Sequence, residues 1–268
     1  MVNVNNYLNL VGYIINVFVT AFASPIFGFP DNAELSEKYQ TLVTPSGFTF
    51  AIWGVIFLSQ LIFTVAQMFS KYSSEQSVQI FDYWYFVACI FQSAWTFAFG
   101  YEIIWLSVVC MGGILVSLYQ IVNLQNGLDT DAATFWLFQF PFSIHCGWIA
   151  AAFGVNFNVW PVSAGIQNIA IPYVTLIYAV GVAIYALFGF GGPDYTIPSV
   201  LMWALFGITA ELKNPKDSIV RSFSEGQIAS FRHVCTWLIV LLAVATAAVG
   251  GYKIFKKRNT EQGDYQRI

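Results

Sequence analysis

The stretch Val234-Cys-Thr-Trp-Leu-Ile-Val-Leu-Leu-Ala-Val-Ala-Thr-Ala-Ala-Val-Gly-Gly251 contains no Asp, Glu, Lys or Arg. A helix needs about 20 mainly apolar residues to cross the hydrocarbon core of a bilayer. With the apolar residues that flank it, this run is long enough and predicts a membrane-spanning helix. Similar runs recur along the chain, and short clusters of charge separate them.

The composition agrees with a protein that lies mostly in lipid. Hydrophobic residues make up 57% of the 268 residues and charged residues only 9%, and the mean hydropathy is +0.65. A soluble domain carries about 25% charged residues, so this chain cannot cover an ordinary water-facing surface. The net charge of −3 provides no basic surface for nucleic acid.

The cysteines and the N-terminus add little chemistry. The four cysteines are Cys89, Cys110, Cys146 and Cys235. All of them fall inside apolar runs and lack metal-ligand spacing, so we predict no metal site and no disulfide framework. Residues 7–23 resemble a signal peptide, but no Lys or Arg occurs before Lys38. A retained first transmembrane helix is therefore favoured over a signal peptide.

The spacing of apolar runs and breaks predicts an all-α integral membrane protein with about eight transmembrane helices. We expect them at about 6–27, 46–69, 81–99, 103–124, 133–157, 165–189, 196–212 and 231–255. Short loops favour antiparallel neighbours. Lys and Arg divide almost evenly between the two faces, so the orientation stays open.

The fifth predicted helix has two different faces. Its polar and aromatic face consists of His145, Trp148, Ala152 and Asn156, which lie within an arc of about 80°. The same face is extended towards the N-terminus by Phe138, Pro141 and Phe142. The opposite face is small, with Gly147, Ala150, Ala151 and Gly154. Small faces let helices approach closely in lipid. Pro141 frees a backbone carbonyl, for which Gln139 and Ser143 are plausible partners.

Helices two and three carry comparable faces. They are Phe50, Trp53 and Gln60 on helix two, and Tyr85, Gln92, Trp95 and Phe99 on helix three. Three such helices can enclose a flat, mostly apolar ligand. Two alternatives stay open: the amides only join helices by hydrogen bonds, and His145 is a satisfied histidine in a kinked packing helix.

Catalytic signatures are missing from the sequence. Nucleotide-binding, zinc-protease and nucleophile-elbow motifs do not occur, so we predict that the protein is not an enzyme. Asp82, Glu102 and Glu211 fall near predicted helix ends, and no carboxylate lies clearly within a span. Proton-coupled transport usually needs intramembrane charge and is therefore less favoured.

Three segments resemble the TspO/MBR family, the tryptophan-rich sensory or translocator proteins. They are Thr44-Pro-Ser-Gly-Phe-Thr-Phe-Ala-Ile-Trp-Gly54, Phe91-Gln-Ser-Ala-Trp-Thr-Phe-Ala-Phe-Gly100, and Pro141-Phe142 followed by Trp148 to Asn156. The resemblance covers about 6–160. It implies a TspO-like five-helix core at 1–160, three additional helices at 161–255 and a short charged tail at 256–268.

The resemblance also implies a ligand site. Family members bind porphyrins, and some bind sterols, in an aromatic cavity. Carried over to this chain, the cavity positions are Trp53, Trp95, Trp148, Ala152 and Asn156, with Phe50 and Gln92 next. The chain departs from the pattern by a shorter Phe50–Trp53 spacing, by Gln92 in place of Asn and by a longer Pro141–Trp148 spacing.

The leading hypothesis is a membrane receptor or carrier for a tetrapyrrole or a similar lipophilic ligand such as a sterol, with no required cofactor. The ligand is expected between helices one, two and five, stacked on Trp53 and Trp148 and oriented by Asn156 or His145. The expected partners are this lipophilic molecule and membrane lipids. A transporter in which helices six to eight move, and a structural subunit, are the alternatives. A homodimer or a membrane-complex partner, and the membrane concerned, stay open.

Overall fold

The computed structural model describes residues 2–265. It contains eight long helices, as predicted, and no strand within residues 2–265. They are α1 (Val4–Phe27), α2 (Gly47–Ala66), α3 (Trp84–Gly100), α4 (Ile104–Gln125), α5 (Phe140–Ser163), α6 (Ala170–Phe188), α7 (Thr196–Glu211) and α8 (Glu225–Tyr265). Short helices lie at Asn32–Lys38, Gln76–Gln79, Ala132–Thr134 and Asp217–Ser222.

Five of these helices are long and apolar enough by themselves to cross a membrane: α1, α2, α4, α6 and α8. Helices α3 and α7 are shorter, with 17 and 16 residues. Helix α8 begins earlier than predicted, because its polar first turns extend the helix beyond the apolar run. The predicted charged tail continues α8 as far as Tyr265, and residues 266–268 lie outside the described residues.

The bundle is arranged around α5. This helix packs against α2, α4, α6 and α7, while α1 packs on α3 and α2, and α8 packs on α7 and α6. Every residue from Pro141 to Ala150 is buried, so α5 has no lipid-facing side along this stretch. A helix that is apolar all round is expected at such a central position.

The small face of α5 is a packing face, as expected. A Cβ atom added at Gly147 would lie 2.9 Å from Cβ of Val200 on α7, and one added at Gly154 would lie 2.6 Å from Cγ2 of Thr175 on α6. Glycine therefore allows α6 and α7 to approach the backbone of α5. The three C-terminal helices are joined to the first five through this face.

The chain enters α5 through a π-helical turn at Phe135–Gln139, just before Pro141. Here Nε2 of Gln125 donates to the carbonyl of Phe138 at 2.7 Å. Gln139 and Ser143, the two residues suggested as partners of the freed carbonyl, form hydrogen bonds with other groups. Nε2 of Gln139 donates to the carbonyl of Gln125 at 3.2 Å, and the Ser143 hydroxyl donates to Asp194 at 2.6 Å. Gln125 of α4 thus binds the backbone of the turn that precedes Pro141, a contact that sequence spacing alone did not indicate.

Asp194 is a buried carboxylate that the sequence pattern did not single out. It precedes α7, is 5% exposed and accepts hydrogen bonds from the amides of Thr196 at 2.8 Å and Ile197 at 2.9 Å. Its side chain therefore caps α7 while the Ser143 hydroxyl ties it to α5. Burial raises the pKa of this carboxyl above its usual value of 3.8.

Helix α7 is also tied to the start of α2. The amide of Ser46 donates to the carbonyl of Gly207 at 3.1 Å, and Nε1 of Trp203 donates to the carbonyl of Thr49 at 3.0 Å. The first turn of α2, Gly47–Ala51, is a 3₁₀ turn. These contacts place the aromatic residues of early α2 beside α5 and α7.

Candidate functional site

A cavity of about 450 Å³ lies in one half of the bundle. Its wall is formed by six helices, α2 to α7, by the segment between α1 and α2, and by Lys216 of the α7–α8 connection. Six of the nine predicted site residues line it: Phe50, Trp53, Trp95, Trp148, Ala152 and Asn156. Small-molecule sites typically have volumes of about 300–1,000 Å³, so this space is large enough for a ligand.

Aromatic rings form much of the cavity wall. The rings of Trp53 and Trp148 meet edge to face at 6.3 Å, and Phe50 meets Trp148 in the same way at 5.6 Å. On α3, Trp95 stacks on Phe99 with centroids 5.1 Å apart. Aromatic pairs of these geometries are favourable and stiff. The rings therefore define a fixed apolar surface.

Asn156 lines the cavity, but its amide is already engaged. Its Nδ2 donates to Oγ of Ser107 on α4 at 2.9 Å. This is the helix-joining role that was the alternative to ligand contact. Among the described residues, the buried side-chain atoms of lining residues that have no hydrogen-bond partner are Gln40 Oε1, Trp95 Nε1, Trp148 Nε1 and the Tyr178 hydroxyl.

The other three predicted residues, Gln92, Phe142 and His145, lie outside the cavity wall. Phe142 is fully buried, with its ring 4.8 Å from that of Phe63. His145 lies within hydrogen-bonding distance of Gln60: Nδ1 of His145 is 2.8 Å from Nε2 of Gln60. The structure therefore places these residues in the packed core and gives His145 a partner on α2.

Depth explains why these three residues differ from their neighbours on the same faces. The cavity wall begins at Trp148 on α5 and at Trp95 on α3. His145 and Gln92 each precede these positions by three residues, which is about 4.5 Å along a helix. They lie below the floor of the cavity, where rings such as Phe63 and Phe81 fill the space.

The helices around the cavity differ from the expected set. The ligand was expected between helices one, two and five, but no described residue of α1 lines the cavity. Helices α6 and α7 contribute instead, through the lining residues Thr175, Leu176, Tyr178, Ala179, Leu201, Ala204, Leu205, Ile208 and Glu211. In the sequence, the helical spacing of the α7 residues indicates that they share one face of the helix.

The mouth of the cavity lies beside the short helix Asn32–Lys38. Leu35 of this helix is fully buried in a cluster with Phe99, Ile104 and Val159. Lys38 pairs with Glu102 at 2.5 Å, and the Tyr39 hydroxyl donates to the same carboxylate. The short helix is thus attached to the α3–α4 turn and forms one side of the mouth.

Glu102 occupies an unusual position in that turn. Its φ angle is 59°, a left-handed conformation that residues other than glycine seldom adopt. Hydrogen bonds from Lys38 and Tyr39 lower the pKa of its carboxyl. The charged form therefore holds the short helix at neutral pH.

A family model described as TSPO-like protein matches residues 6–250. The match reaches beyond the resemblance at 6–160 and includes most of the three C-terminal helices. Among curated proteins and solved structures, none matches the chain. With its apolar helices, the match identifies an integral multi-pass membrane protein. Since the matched region covers most of its length, this chain belongs to the TSPO-like family.

Proposed function

We propose that the protein is a membrane receptor or carrier that binds a tetrapyrrole or a sterol in the cavity, and that it is not an enzyme. The observation that carries this proposal is a cavity of about 450 Å³ whose wall includes Trp53, Trp95 and Trp148. Apolar sites with few polar groups suit lipophilic ligands of this kind.

The arrangement of the helices favours this proposal over the two alternatives. A structural subunit would have a solidly packed interior, which the cavity argues against. Structural repeats related by a pseudo-two-fold axis would favour a transporter. Here α6 and α7 pack directly on the central α5 and complete the wall of one cavity, which supports a single bundle and a receptor or carrier.

The proposal is tested by equilibrium dialysis of the purified protein in nanodiscs against protoporphyrin IX and, separately, cholesterol. We expect saturable binding of at least one of the two. The double substitution Trp53→Ala with Trp148→Phe should weaken it about tenfold or more, because ring contacts with the ligand are lost.

Trp237→Ala is the matched control, since Trp237 lies on α8, is 68% exposed and does not line the cavity. Its affinity should equal that of the wild type. A thermal melt checks that each variant is folded. The proposal fails if neither compound binds saturably, and the assignment of the residues fails if the double variant binds as well as the wild type.

A further inference from the structure

We propose that the ligand has a hydrogen-bond-donating or cationic head group that binds the Glu211 carboxylate, with its apolar body directed inwards. This inference rests on the proposed function and selects among its ligands. It predicts that an amphiphile with a hydroxyl or ammonium head is preferred to a dicarboxylate such as protoporphyrin IX.

One face of α7 runs along the cavity from its apolar interior to the mouth. The lining residues Leu201, Ala204, Leu205, Ile208 and Glu211 follow the helical spacing. Leu201 and Glu211 are separated by roughly 15 Å at 1.5 Å per residue. An elongated ligand can therefore touch aliphatic side chains over most of its length and reach a carboxylate at one end.

The charges of the wall do not balance. Glu37, Glu211 and Lys216 are the charged residues among those that line the cavity. Lys216 Nζ pairs with Glu37 Oε1 at 3.2 Å. Among the described residues, Glu211 has no ion pair, and its Oε2 accepts a hydrogen bond from Ser46 at 2.9 Å. Two carboxylates and one ammonium leave one negative charge, which attracts a donor and repels an anion.

The interior of the cavity offers a charged head group no partner comparable to Glu211. Trp53, Trp148 and Met111 line it away from the mouth, and transfer of an ion into such surroundings is costly. A charged head group is consequently more stable at the mouth, beside Glu211, than at the cavity floor. This fixes the orientation of the ligand.

The test uses four compounds with the same saturated sterol body: cholestanol with a hydroxyl, 3β-aminocholestane with an ammonium, cholestane with no head group, and cholestanyl hemisuccinate with a carboxylate. Each competes with fluorescent dehydroergosterol on the protein in phosphatidylcholine nanodiscs, read by energy transfer from Trp. In the wild type the amine should bind most tightly, then the hydroxyl, the hydrocarbon and the carboxylate.

Glu211→Gln should reduce the preference for the amine over the carboxylate about tenfold, since a hydrogen bond to a charged group is replaced by a neutral one. Ser46→Ala removes the hydrogen-bond partner of Glu211 but keeps its charge, and should retain the preference. Glu225→Gln, on the same side but outside the cavity wall, is the control and should behave as the wild type.

The outcomes separate the two proposals. If dehydroergosterol binds but the order of heads is unchanged in Glu211→Gln, the head-group inference is wrong and the proposed function stands. If protoporphyrin IX binds and no sterol does, the head-group inference is likewise wrong and the proposed function stands. If neither dehydroergosterol nor protoporphyrin IX binds the wild type, the proposed function itself fails.

Discussion

Among single residues, Asp194 is a buried carboxylate with a structural role. Its carboxylate accepts hydrogen bonds from two backbone amides at the start of α7 and from Ser143 on α5. A buried carboxylate that lost these donors would be strongly destabilising. Asp194 therefore determines how α7, which lines the cavity, begins beside α5.

Replacement of Asp194 by Ala should lower the free energy of unfolding by about 3 kcal/mol, because two amides and a hydroxyl lose their acceptor. Asp194→Asn retains an acceptor for the amides and should cost less. Thermal unfolding in detergent measures both. Equal stability of Asp194→Ala and the wild type would contradict the role assigned to this side chain.

The raised pKa of Asp194 also predicts a dependence on pH. Between the usual value of 3.8 and the higher folded value, the folded protein binds more protons than the unfolded chain. Stability contributed by this group therefore falls as the pH rises through that window. The melting temperature of Asp194→Asn should lack this component when the two proteins are compared from pH 4 to 7.

The site residues were predictable by face but not by depth. Periodicity placed Trp148 and His145 on one side of α5, and both lie on buried surfaces. Only Trp148 lines the cavity, because the floor of the cavity lies between Trp148 and His145. No pattern within a single helix indicates where along its axis the neighbouring side chains stop filling the space.

At the scale of elements, the contact between α5 and α7 depends on a glycine. A Cβ at position 147 would lie 2.9 Å from Val200 and 3.1 Å from the backbone of Ile197, so the helices would have to separate. The small face of α5 is recognisable from the sequence because its spacing is local. Its partner α7 is not, because the partner depends on how the helices assemble.

Gly147→Ala should therefore destabilise the protein by about 1–3 kcal/mol through overpacking. Gly54 on α2 is a matched control, since a Cβ there would meet no atom within 4 Å. Gly54→Ala should be neutral or stabilising by up to about 1 kcal/mol, because alanine favours a helix. Denaturation in mixed micelles measures both, and equal effects would contradict the close approach.

In the whole molecule, we expect all eight long helices to cross the membrane, which places the cavity mouth on one face and the start of α1 and the end of α8 on the other. The short helix Asn32–Lys38 and the α7–α8 connection meet at the mouth through Lys216 and Glu37. The α2–α3 connection and the end of α8 belong to the other face. Helices α6 and α7 thus complete the cavity, and α8 packs on both of them with none of its described residues lining it.

This topology predicts the accessibility of single cysteines to an impermeant thiol reagent in sealed vesicles. Ala33→Cys and Ser218→Cys should react from one face, and Lys71→Cys and Asn259→Cys from the other. The four native cysteines are buried, so the unsubstituted protein gives the background. Reaction of positions 33 and 71 from the same face would exclude the eight-crossing arrangement.

Apolar length and helical periodicity are local properties, so the membrane class, the eight long helices and the aromatic residues that resemble those of the family could be predicted from the sequence. That α6 and α7 line the cavity, that no described residue of α1 does, and that His145 lies in the core became evident only from the folded structure. Those outcomes depend on which helices are neighbours and on how deeply side chains fill the space between them, and both arise from packing among segments distant in the chain.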